Sequence, residues 1–78
     1  MKTYWKTFYH GTSTANAKII MKEGFKRGTF FATHLEDAIG YGGMHVFQVS
    51  IHLGYDHTYW EYVSSNRIPV RQIVKIYI

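Results

Sequence analysis

The stretch "FYHGTSTANAKIIMKEGF", residues 8–25, frames the whole chain, because it reads as a strand turning directly into a helix with both ends marked. Upstream, "KTYWKTFYH" is rich in aromatics and threonine, which favour a pleated surface, so residues 3–10 are expected to form a strand closed by His10. Ser13 or Thr14 can cap the following helix with a hydroxyl. Ala17, Ile20 and Met21 fall at helical spacing and predict its core face. Gly24 suits the left-handed position after a helix, with Phe25 placed to touch Ile20.

Working outward, "RGTFFAT" reads as a short apolar strand. "THLEDAIGYGG" reads as a second helix, with Thr33 and Glu36 in the spacing of a capping box. Leu35, Ala38 and Ile39 predict its apolar face, and Gly42-Gly43 its end. "MHVFQVSIHL" alternates, with Phe47, Val49, Ile51 and Leu53 on one side and Gln48, Ser50 and His52 on the other, as a half-buried strand does. "YWEYV" predicts a short strand. "VRQIVKIYI" predicts a final one with Val70, Gln72, Val74, Ile76 and Ile78 on one face. The expected order is β-α-β-α-β-β-β: one α+β domain over residues 1–78, with a mainly antiparallel sheet and two short helices.

Composition bounds what such a domain can do. Seventy-eight residues with 46% hydrophobic and 18% charged side chains argue for one modest core and against disorder. The absence of cysteine removes disulfides and thiolate metal sites and fits a reducing, cytoplasmic compartment. No apolar run approaches the roughly 20 residues of a membrane span, and no signal peptide is legible. A formal net charge of +4 favours an anionic partner: nucleotide phosphates, nucleic acid or an acidic protein. A second copy of the chain, paired along an edge formed by the first or last strand, is a further expected partner.

Three groups of residues stand out chemically. His10-Gly11-Thr12 is either a plain strand-to-helix turn or a place where a ligand reaches the backbone, since glycine exposes an N–H and C=O pair that would match an amide. Phe30, Phe31 and Tyr41 could sandwich a planar heterocycle or simply pack. Phe31 makes the stronger case for the core; Tyr41, beside glycines at a helix end, makes the stronger case for a ligand. Glu61, among Tyr59, Trp60 and Tyr62, is either a solvated strand carboxylate or one that binds a sugar hydroxyl and stabilises a developing cation. His45, His52 and His57 match no standard zinc spacing, so no metal is expected. Lys22, Lys26 and Arg27 form a small basic cluster that is either a solvated helix end or a phosphate contact.

In their order along the chain these groups resemble the ADP-ribosyltransferase superfamily, on its diphtheria-toxin and poly-ADP-ribose-polymerase side, which carries a His-Tyr-Glu triad. "YHGTS" looks like its first motif, "GTFFATHLEDAIGYG" its second and "EYVSSNRIPVRQIVKIYI" its third, so the resemblance spans residues 4–78. It implies a minimal form of that family's split-sheet fold, with NAD as substrate and a macromolecular acceptor or host protein as target. His10 would bind the adenosine-side or nicotinamide-side ribose, Gly11 the carboxamide, and Tyr41 the nicotinamide ring. Glu61 would bind the nicotinamide ribose and stabilise the oxocarbenium-like centre. Thr12 and Ser13 would add hydroxyl contacts, and Phe30 and Phe31 would belong to the ring pocket. Two departures stand out: Phe30 replaces a tyrosine usual in this branch, and little chain lies between the central strand and Glu61. Two alternatives stand beside the enzyme. One is an inactive binding or inhibitor protein on the same fold, of a kind that suits phages or mobile elements. The other is a basic nucleic-acid-binding domain using exposed aromatics.

Overall fold

The computed structural model describes residues 4–42 and 44–77, with the side chains of residues 41 and 42 outside that description. Thr3, Gly43 and Ile78, which carried expectations above, lie outside the described residues. The elements run β1 (Tyr4–Thr12), α1 (Thr14–Glu23), β2 (Phe30–Ala32), α2 (Leu35–Gly42), β3 (His45–Leu53), β4 (Glu61–Val63) and β5 (Ile73–Tyr77). The five strands form one sheet in the order β4-β2-β1-β3-β5, every neighbouring pair antiparallel. The expected α+β order is therefore observed, but as a single sheet rather than a split one.

β1 is the centre of this sheet, not an edge; the edges are β4 and β5. It pairs with β3 along its whole length, from Tyr4–Leu53 to Thr12–His45, and so continues two residues past His10. Its other side meets β2 only through the Tyr9–Ala32 pair. Alternation then assigns the faces, because paired antiparallel residues point the same way. Phe8, Phe31, Phe47, Val49, Ile51 and Leu53 face α1 and close over Ala17, Ile20, Phe25 and Ile68. Ala32 and Val46 face the other way and pack with Ala38 of α2, flanked by Tyr9, Leu35 and Tyr77.

Ser13 caps α1, accepting the Asn16 N–H at 3.3 Å. At the other end Gly24, at φ 78°, donates its N–H to Ile20 O at 2.8 Å, and Phe25 enters the core beside Ile20. Met21 is exposed, and so is Ile39 of α2; each sits one step beyond the stripe its helix buries. Thr33 does not form a capping box, because its hydroxyl donates to Trp60 O. The acidic Glu36 and Asp37 occupy the first turn of α2 instead, where the helix dipole favours them. Val70–Gln72 forms a 3₁₀ turn after Pro69, so the last strand starts only at Ile73, and a register shift at Gln48/Val49 ends the simple alternation expected over residues 70–78. Among the described residues, no helix is long and apolar enough to cross a membrane.

Candidate functional site

Two concavities meet at His10 and Phe30. One, of about 290 Å³, lies between α1 and the turn leading into β2, and is lined by Asn16, Ile20, Lys26 and Thr29 among others. The second, of about 310 Å³, lies over Tyr9, Gly11 and Ala32, where glycine leaves the backbone of β1 approachable. His10 and Phe30 line both.

His10 is wedged between Phe25 and Phe31, with ring centroids 5.5 and 5.6 Å away. Its Nδ1 lies 2.7 Å from Phe30 O. A carbonyl can only accept, so Nδ1 carries the proton and Nε2 keeps a lone pair. Burial lowers the imidazole's pKa below its ordinary 6.5, outweighing the hydrogen bond that raises it, so the ring is neutral at pH 7. Because the folded protein binds this proton more weakly than the unfolded chain, stability contributed by neutral His10 is present above pH 6.5 and lost as pH falls from there toward the lowered value. A His10→Gln variant should accordingly show a flatter dependence of melting temperature on pH below 6.5, read by thermal scans across that range.

Glu61 is half-buried at the start of β4, directly opposite Ala32, which is itself opposite Tyr9. That rung faces α2, so Glu61 lies on the same sheet face as the concavity over Gly11, one strand outward from it. Phe30, two residues before Ala32, shares this face. His10 lies on the α1 face and meets the concavity only through the gap between β1 and β2. Tyr41 belongs to the last turn of α2, the helix packed on Glu61's face; its side chain lies outside the described residues.

Other expected site residues take different places. Phe31 is fully buried in the α1-side core against Phe8 and Phe25, so it supports the site from beneath and cannot touch a ligand. Thr12 is buried, and Ser13 accepts the capping N–H of α1. His45 bonds Thr14, His52 stacks on Trp5, and His57 donates Nε2–H to Glu61 O at 2.9 Å. Among the described residues, no group of three metal-ligating side chains comes together.

What holds Glu61 and the basic turn in register was not visible in the sequence pattern, because each contact joins distant residues. Thr33 bonds Trp60 O twice, through its N–H and its hydroxyl, immediately before Glu61. Just after β4, the buried Ser64 accepts Thr29 N–H at 3.0 Å and donates to Lys26 O at 3.2 Å, while its backbone bonds Gly28 and Thr29. A Ser64→Ala variant removes two hydrogen bonds of the clasp but leaves the half-buried Thr29 N–H its 3.2 Å bond to Lys26 O. It should cost about 1 kcal/mol in a denaturant titration.

The arrangement suits a ligand in two parts. A flat ring can rest against Phe30 over Gly11, on the face that carries Glu61. A polyanionic remainder can turn past His10 into the first concavity, where Lys26 supplies charge and Asn16 and Thr29 supply hydrogen-bonding groups. Comparison with protein-family models, with curated proteins and with solved structures finds no significant match to this chain.

Proposed function

We propose that this chain is a minimal NAD-dependent ADP-ribosyltransferase that cleaves the nicotinamide–ribose bond and passes ADP-ribose to a macromolecular acceptor. The observation that carries the reading is the shared sheet face: Gly11, Phe30, the helix bearing Tyr41, and Glu61 all belong to it, and His10 stands at the gap leading to the basic concavity. Its support is this geometry together with the order of the three motifs.

In this mechanism the nicotinamide ring lies on Phe30 and its carboxamide meets the Gly11 backbone. Nε2 of His10, held as an acceptor by the Nδ1–H bond to Phe30 O, takes a hydrogen bond from a ribose hydroxyl. The C1′–N bond then breaks, its electron pair leaving with nicotinamide. Glu61 stabilises the positive charge left on the ribose, the kind of charge complementarity that accelerates dissociative cleavage. The acceptor's nucleophile forms the new bond to C1′ and releases its proton. Lys26 offsets the charge of the pyrophosphate.

A second reading, binding without turnover, is favoured by one observation: Tyr59 and Trp60, which directly precede Glu61 in the chain, are both exposed with ring centroids 5.9 Å apart, an aromatic surface open to a partner. Incubation with NAD, with and without cell lysate, separates the two. The enzyme releases nicotinamide and labels a macromolecule. A folded protein that releases none, and whose melting temperature NAD does not raise, rejects the transferase.

A further inference from the structure

A third concavity lies away from the His10 region and shares no lining residue with the two that meet there. It is the roomiest of the three, about 470 Å³, a size that suits a small-molecule ligand. Its floor is core: Ile51, Leu53 and Ile68, buried, with the half-buried Tyr62 beside them. Its rim is aromatic and basic. Tyr55 stands exposed just past the end of β3 and lines the concavity with Tyr62. Trp5 and His52, stacked with centroids 5.0 Å apart, line it only from the strand edge, since their side chains belong to the sheet face opposite Ile51 and Leu53.

Arg67 supplies the charge. Its one hydrogen bond among the described residues runs from Nη2 to Glu23 O, the last carbonyl of α1, at 3.4 Å. That long bond at a helix C-terminus orients the guanidinium and leaves most of its donors for a ligand. No carboxylate is among the described residues lining the concavity, and Arg67 is the one arginine or lysine among them. An apolar floor, the rings of Tyr55 and Tyr62 and a single guanidinium select a planar ring that carries an anionic group.

We propose that this concavity is a second ligand site, for a planar anionic molecule of mononucleotide size, with the ring against the aromatic rim and the anion on Arg67. The site is independent of the NAD reading. Tyr62, which lines it, directly follows Glu61 in β4, so an occupant would touch the strand that carries that carboxylate.

The test is amide chemical-shift mapping of the isotope-labelled protein with three probes in turn: adenosine 5′-monophosphate, adenosine and inorganic phosphate. The site predicts that the monophosphate at millimolar concentration shifts Leu53, Tyr55, Asn66 and Arg67, more strongly than either half alone. Arg67→Gln should weaken that binding about tenfold, the loss of one charge-assisted contact, with an unchanged melting temperature because Arg67 is exposed. Glu61→Gln should leave it unchanged. The proposal is overturned by shifts confined to His10, Gly11 and Phe30, by no shifts at all, or by equal binding in Arg67→Gln. Such outcomes leave the NAD reading untouched, since that reading is scored by nicotinamide release.

Discussion

Glu61→Gln is expected to reduce nicotinamide release by about three orders of magnitude, roughly 4 kcal/mol of transition-state stabilisation. NAD binding should change by less than about tenfold, because the carboxamide keeps the side chain's size and can still accept a hydrogen bond from a ribose hydroxyl. The difference arises from charge. Only a carboxylate offers a full negative charge to the cation formed as the glycosidic bond breaks. The surrounding protein should not change, since Glu61 is set in place through its backbone: its carbonyl takes the His57 bond, and the preceding carbonyl takes both Thr33 bonds. Nicotinamide release by chromatography and NAD affinity by calorimetry together make the measurement. Full activity in Glu61→Gln would remove Glu61 from the chemistry and the transferase with it.

The largest effect on stability is expected at Gly24. It combines a φ of 78°, which side-chain-bearing residues rarely adopt, with a Cβ position only 2.4 Å from Ile68 O. That oxygen cannot retreat cheaply, because it accepts the Phe25 N–H at 2.8 Å while Ile68 N–H bonds back to Phe25 O. Gly24→Ala should therefore cost about 3 kcal/mol, which in a domain this small lowers the melting temperature by roughly 10–20 °C. Gly28 is the control. Its φ of 85° is similar, but nothing lies within 4 Å of an added Cβ, so Gly28→Ala should show only the conformational part, about 1 kcal/mol. Equal losses at the two positions would mean that the contact with Ile68 contributes nothing.

Local pattern made much of this fold legible. The marked ends of α1 and the alternation of β3 each bury one face, and both are realised, because burial of a stripe or an alternate row is decided within a dozen residues. Met21 and Ile39 were misjudged because spacing alone does not set the width of the buried stripe on a helix this short. The candidate site was legible as residue types: a histidine-glycine, an aromatic before a helix, and a strand glutamate. Its geometry was not. Only the register of β2 with β1 and β4 determines that Glu61 shares a face with Gly11 and Phe30, and that Phe31 turns away from them into the core. The clasp of Ser64 on Lys26 and Thr29 spans more than thirty residues of chain, and no local rule foretells it.

The lone Tyr9–Ala32 pair between β1 and β2 divides the sheet into parts of unequal cooperativity. Amide hydrogens of β1 and β3 should exchange with solvent only when the whole domain unfolds, whereas those of β2 and β4 can exchange through a smaller opening that parts them from β1. His10 and Gly11 stand on the slow side of that seam; Phe30 and Glu61 stand on the fast side. The pocket thus exists only while the seam is shut, and a dinucleotide lying across it would act as a staple, slowing exchange in β2 and β4 while leaving β1 and β3 at the rate set by global unfolding.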